Sequence, residues 1–241
     1  MLAFYLTRKR IKDSEWAYLK AVLFFVQTLK KFTPEQVVTN LFNKSIEKVE
    51  YSFNIPFDTR NPDCVCVEQY DDVWVIYNTD LLWPILGDPK HDLQRLYCAI
   101  GKPALAIGFC KFDSGDTYGY AFIENGTLTR SRLQNSDDSL LEYGIPKPFE
   151  DQWFTANYYL EDDSCPEDET LKIYYLGNRE VEVADHGLTI HLAREALEEN
   201  FKLCPWDNDA KPKMWLFRLH DHCQEDSEIL HKKPKPWWRF W

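Results

Sequence analysis

The hydrophobic patterning of this chain predicts an α+β fold: N-terminal helices plus a mostly antiparallel mixed sheet with a central β-meander. Three observations carry the prediction. Residues 104–132 read as three consecutive strands, the last two joined by Asn125-Gly126. An Asn-Gly pair between alternating strands is a strong hairpin signal, because both central positions of the tight turn need positive φ. Helical spacing and N-cap residues mark the first 42 positions, and neither a repeat nor a linker interrupts the 241 residues.

In order along the chain, Asp13 and Ser14 are N-cap residues ahead of Trp16, Leu19, Leu23, Val26 and Lys30, whose spacing predicts a first helix. Thr33-Pro34-Glu35-Gln36 is a capping box with proline at the first helical position, opening a second helix through Phe42. Loose alternation over 46–53 predicts a strand, and the β-branched and aromatic run 72–77 a centrally buried one. Asp88-Pro89 repeats the cap-then-proline device, placing Leu93, Leu96, Tyr97 and Ile100 on a helix that Gly101 ends. The meander follows as 104–112, a turn at 113–116, 118–124 and 127–132. Segments 171–176 and 180–183 flank Gly177-Asn178 as a second hairpin. Leu192, Ala196, Leu197 and Phe201 share one face of a helix over 189–201, and 214–219 reads as a last strand. These elements predict a single α+β domain over 1–230 and a basic, Trp-rich tail over 231–241.

Composition narrows the function classes. Of the residues 44% are hydrophobic, and 37 side chains are aromatic, enough to bury a sizeable core. The formal charge of −11 argues against a general nucleic-acid binder. Residues 134–170 hold eleven carboxylates against Lys147 alone, so nearly all of that charge sits in one stretch. A run of this kind is ordinarily a solvated face, and otherwise a docking surface for a basic partner, which complementary charge steers and selects. Asp137, Asp138, Glu161, Asp162 and Asp163 are its candidate partner-binding residues. The tail sets Trp237, Trp238, Phe240 and Trp241 among Lys232, Lys233, Lys235 and Arg239. Three tryptophans left in water are costly, so Trp237, Trp238 and Trp241 are expected to rest on the domain, a protein partner or a membrane surface. Seven cysteines with no framework spacing read as thiols in a reducing cytoplasm, and the N-terminal apolar run is too short for a secretory leader.

Catalytic and metal signatures are sparse. His220 and His222 would share one strand face, as two zinc ligands can, but local spacing supplies no third, and a surface pair accounts for them better. Asp113 and Asp116 bracket a tight turn that lacks the remaining oxygen ligands of a calcium loop. His186 stands five residues from His191, off its helical face. Cys98 and Cys110 read as core thiols. No P-loop, Gly-rich dinucleotide turn or nucleophile elbow is present, and no cofactor is implied. Glu150 stands out: behind Pro148-Phe149 it is either a buried acid with a raised pKa or the start of a helix with a salt bridge.

The run Glu124-Asn125-Gly126-Thr127-Leu128-Thr129-Arg130-Ser131, then Gly144, then Pro148-Phe149-Glu150 resembles an uncharacterised bacterial domain family of unknown function. That family carries an aromatic strand, an E-[ND]-G-x-L-x-R-S hairpin, an acidic segment with a glycine, and P-F-E. His186-Gly187-Leu188 entering the following helix is similar to the family's closing helix. The likeness covers about residues 70–200; Ile123 departs from a usual Trp, and the Trp-rich tail has no counterpart. The resemblance implies the fold and no mechanism. Together the observations point to a cytoplasmic, non-catalytic bacterial protein-binding module, of immunity type in its most specific form, neutralising a basic partner. The alternatives are a hydrolase or transferase assembling Glu150, Asp113, Asp116, His186 or His220 from distant positions, and a peripheral membrane protein using the tail.

Overall fold

The computed structural model describes residues 19–26, 32–50, 61–112, 116–135, 139–161, 171–203 and 211–221. In chain order its elements are β1 (Leu19–Val26), α1 (Pro34–Phe42), β2 (Ser45–Val49), β3 (Cys64–Tyr70), β4 (Val73–Tyr77), α2 (Thr79–Gly87), α3 (Gln94–Ala99), β5 (Leu105–Phe112), β6 (Thr117–Glu124), β7 (Thr127–Gln134), β8 (Leu140–Gly144), α4 (Pro148–Phe154), β9 (Asn157–Glu161), β10 (Leu171–Leu176), β11 (Val181–Ala184), α5 (Asp185–Phe201) and β12 (Lys213–His220). Nine strands form one sheet in the order β2-β12-β3-β4-β1-β5-β6-β7-β8, and β11-β10-β9 form a second. Every described pairing is antiparallel.

The central strands are buried on both faces, and their period-2 alternation builds two cores. Trp74 and Ile76 of β4, with Ala106 and Cys110 of β5, point to the side covered by α1, α2 and α3 through Val38, Leu41, Leu82, Ile85 and Leu96. Val75 and Tyr77, with Ile107 and Phe109, point to the side covered by α4 and α5 through Trp153, Leu188, Leu192, Ala196 and Leu197. The small sheet leans on this second core through Tyr174, Leu176 and Val183.

Local codes fixed several elements where expected. Thr33 caps α1 by accepting from the Gln36 N–H, and Gln36 Oε1 accepts from the Thr33 N–H at 2.9 Å. Asn125 and Gly126 adopt φ of 50° and 79° in the β6–β7 turn. The strand over 72–77, the 171–183 hairpin, the closing helix and the last strand are all present, although α5 begins at Asp185, four residues early.

Other expectations are corrected. The helix read over 16–30 is a strand over 19–26, lying between β4 and β5. A continuous apolar run fits a central strand covered on both faces as well as a helix, and the chance 3–4 spacing of its leucines and valine misdirects the reading. Of the described helices only α1 lies near the N-terminus; α2 and α3 follow β4, and α4 and α5 lie in the second half of the chain. Asp88-Pro89 opens no helix. Asn78 caps α2 by accepting from the Asp80 N–H, Pro84 sits within that helix, and α3 starts only at Gln94. Strands β3, β8 and β9 were not legible, the latter two because they lie within the acidic stretch.

Gly144, ending β8, has φ +81°, and a Cβ placed there would lie 1.9 Å from the Thr129 carbonyl oxygen. Backbone, not a movable side chain, blocks it. Gly144→Ala is expected to lower stability by at least about 1–3 kcal/mol through strain. Gly87→Ala, with no atom within 4 Å of the new carbon, should be neutral or slightly stabilising; urea denaturation of both variants checks the contrast.

Candidate functional site

The meander presents polar residues where β6 and β7 face α4 and α5. On β7, Arg130, Arg132 and Gln134 alternate onto the same side as Tyr118, Tyr120 and Phe122 of β6. Lys147-Pro148 starts α4, and Glu150, third in that helix, turns back to accept from the Lys147 N–H at 2.5 Å. This cap puts the carboxylate under the sheet with no exposed surface. Arg130 Nε lies 3.0 and 3.1 Å from its two oxygens, and the Tyr120 hydroxyl donates to Oε1. Arg130 Nη2 and Arg132 Nη1 reach Glu142 Oε1 of β8 at 2.5 and 2.7 Å. Arg132 Nε donates to Thr189 Oγ1 of α5 at 2.9 Å, and Thr189 donates to Gln134 Oε1 at 2.6 Å. Phe154 lies against both guanidinium carbons, at 5.9 and 5.3 Å from its ring centre.

Two carboxylates thus face two guanidiniums. Among the described residues no buried side-chain nitrogen or oxygen lacks a hydrogen-bond partner. Burial pushes the Glu150 carboxyl up, to about 7, against the downward pull of the Lys147 amide; nearby Asp151 adds to the rise. Burial also raises Glu142, but the hydrogen bonds and charges of Arg130 and Arg132 outweigh it and hold that carboxyl below its ordinary value. Lys147 Nζ donates to Glu124 Oε1 at 2.6 Å, lowering that carboxyl too. The cluster is a structural joint in which the buried polar groups satisfy one another.

The surface beside it is different. β8 is the last described strand of the large sheet, and all five of its residues are exposed. Leu141, Tyr143 and Ile145 are 51%, 42% and 82% exposed, and Leu140 44%. The Asn135 N–H donates to the Ser139 carbonyl at 3.1 Å, and Gln134 then pairs with Leu140 and Leu133 with Leu141. Hydrogen-bonded pairs alternate along an antiparallel ladder, so Leu140 and Glu142 turn their backbone N–H and C=O groups outward. Next to Tyr143, a hollow of about 190 Å³ is lined by His91, Leu93, Gln94 and Leu128 among others. The opposite edge, β2, is guarded by charge: Glu47 contacts Arg218 and His220 at 3.6 and 3.1 Å, and Lys48 approaches Glu35. A second hollow, about 400 Å³, lies between Gln69–Val73 and Phe201–Leu203 and holds none of the candidate catalytic residues.

Sequence-predicted residues scatter accordingly. Glu150 satisfies both of its alternatives at once: it is a buried acid, and it begins a helix with an ion pair. Asp116 is exposed in the β5–β6 turn, where its Oδ1 lies 3.5 Å from the Tyr118 hydroxyl. His186 is exposed in the first turn of α5, and His220 contacts Glu47. Glu150 is hydrogen-bonded instead to Tyr120, Arg130 and Lys147. Among the described residues no group of three potential ligands could hold a metal ion. Glu161 is exposed at the end of β9. Asp113, Asp137, Asp138, Asp162, Asp163, His222, Trp237, Trp238 and Trp241 lie outside the described residues. Cys110 is buried as expected, with its thiol pushed far up by burial, whereas Cys98 is exposed rather than core. Arg132, Glu142 and Thr189 were missed: nothing local in the sequence says that 132, 142 and 189 converge. Arg130 and Gly144 were marked only as separated pieces of the pattern that also holds Glu150, which its Pro148-Phe149 approach signals independently.

Removing one partner of a buried ion pair leaves the other charge uncompensated, so Glu150→Ala or Arg130→Ala should each cost about 3–5 kcal/mol. The joint variant Arg130→Met/Glu150→Met should cost less than its two single Met variants combined, as a double-mutant cycle by urea denaturation will show. Glu142 has a depressed folded pKa, so its contribution is present above its unfolded value and is lost as pH falls through the folded one. Glu142→Gln should flatten that acid-side loss in denaturation midpoints taken from pH 6 to pH 3. No family model, curated protein or solved structure matches this chain.

Proposed function

We propose that the chain is a protein-binding module that takes an extended, basic segment of another protein onto the outer edge of β8. The observation that carries this reading is the edge itself: backbone groups of Leu140 and Glu142 turned outward in a strand with Leu141, Tyr143 and Ile145 exposed beside it. An apolar edge with which no other described strand pairs invites strand addition, in which main-chain bonds give affinity and alternate side chains give specificity. The charge of the surroundings selects the sign of the partner. Of the eleven carboxylates in 134–170, Glu142 and Glu150 are neutralised by Arg130 and Arg132. Asp151 and Glu161 are exposed, the other seven lie outside the described residues and enter only through their formal charge, and Lys147, the one base in the stretch, is engaged with Glu124. Such a field speeds the encounter with a cationic partner.

An immunity-type role, neutralising a basic toxin in a bacterial cytoplasm, is the most specific form of this reading. Kinship with the uncharacterised bacterial family is part of the same proposal, supported by the convergence of Arg130, Gly144 and Glu150 on one joint. The test is capture from the native host's lysate by the full chain and by its Leu141→Asp variant, with partners identified by mass spectrometry. A basic protein retained in stoichiometric amount by the first and lost from the second, at unchanged melting temperature, is the expected result. Equal capture by both would remove β8 from the interface.

A further inference from the structure

We infer that residues 231–241 of this chain, HKKPKPWWRFW, bind the β8 edge and compete there with the partner. This inference rests on the proposed docking reading and names a regulator of the same site. The segment lies outside the described residues; its chemistry and the distance it must cover carry the argument.

The edge asks for three things: apolar side chains to cover Leu141, Tyr143 and Ile145, positive charge to answer the acidic stretch, and backbone N–H groups to pair with outward carbonyls. Residues 237–241, Trp-Trp-Arg-Phe-Trp, match β8 in length, supply four aromatic side chains and one cation, and contain no proline to interrupt pairing. Lys232, Lys233 and Lys235 precede them. The hollow of about 190 Å³ beside Tyr143 is below the range of about 300–1,000 Å³ typical of small-ligand pockets, and is of the size that admits a single aromatic side chain. Asp92, His91 and Gln94 at its wall offer partners for an indole N–H. A second copy of β8 fits less well, since it would set Glu142 opposite Glu142 and one acidic stretch against another.

Reach is sufficient. β12, from which the segment departs, lies seven strands from β8 in the sheet, or about 34 Å at the usual strand spacing. The sixteen residues from Asp221 to Trp237 can span about 50 Å. The segment can therefore serve its own chain or a neighbouring copy.

The test follows amide exchange at Leu140 and Glu142 by NMR in the full chain and in a full-length variant with Trp237→Ser, Trp238→Ser and Trp241→Ser. Exchange in the unsubstituted chain should be slower by about tenfold or more, because a paired edge amide must open before it exchanges. Arg239→Glu should give a smaller loss in the same direction. Protection that survives dilution assigns the segment to its own chain, and protection that fades assigns it to a second copy; both support the inference. Free exchange in both proteins would overturn it. So would equal protection in both that disappears on dilution, the mark of β8 pairing with β8. Either failure leaves the docking reading intact, because lysate capture by the triple variant with and without Leu141→Asp tests β8 independently of the tail. If the inference holds, the triple variant should also capture the partner more tightly than the full chain.

Discussion

The buried pair of Arg130 and Glu150 is the constraint on which this half of the molecule depends. An arginine at the centre of a strand facing a core is unfavourable unless its guanidinium is both neutralised and hydrogen-bonded. Meeting that demand draws in parts remote in sequence. Glu150 must be delivered by the first turn of α4, which Lys147 and Pro148 start, and Glu142 must be delivered by β8. Arg132 carries the same demand one step along β7 and draws in Thr189 of α5. The joint therefore fixes where β8 lies on β7, where α4 begins and how α5 sits across β6 and β7. A core of hydrocarbon alone would be less particular about these placements, since apolar contacts are not directional.

Legibility in the sequence divides along the same line. Thr33 with Gln36, and Asn125 with Gly126, encode their structures within four residues, and both were readable because the hydrogen bonds or dihedrals they need are local. The meander was readable because alternation and turn agree. β1 was not, since a strand at the middle of a sheet buries both faces and loses the period-2 signature that distinguishes it from a helix. β8 was hidden for the opposite reason. Its carboxylate is answered by arginines ten and twelve residues upstream, so in one dimension it reads as part of an acidic loop. Half of the candidate site, Glu150 with its rigid approach, was visible as a single residue with two competing explanations. The partners that reconcile them become visible only when β7, β8 and α5 are brought together.

The two edges of the large sheet show what this joint costs. β2 displays Glu47 and Lys48, charges that discourage a further strand, whereas β8 has spent its one charged side chain inward on Arg130 and Arg132. Besides the part-exposed Glu142, the strand presents Leu140, Leu141 and Tyr143 to solvent, with Ile145 beyond. The apolar edge is thus a consequence of building β8 around an internal ion cluster. A surface produced this way is rigid as well as sticky, because the strand behind it is held by charge-assisted bonds rather than by turn propensity alone.

That rigidity matters for how the acidic stretch acts. Counted along the sequence, its carboxylates form one uniform field, but Glu142 and Glu150 stand apart from that count. Glu142 and Glu150 are neutralised and positioned by arginine; they set the strand and contribute little to the field a partner meets at long range. On the proposed docking reading the formal charge of the rest of the stretch steers the encounter, and a steering field alone would be satisfied by any cation. Register supplies the missing discrimination. A segment that pairs with Leu140 and Glu142 must bring its alternate side chains over Leu141 and Tyr143, and a shift of one residue turns the wrong set inward. On that reading, charge at a distance and pattern on contact are selected by different parts of one short stretch, and the arginines of β7 take Glu142 and Glu150 out of the first task.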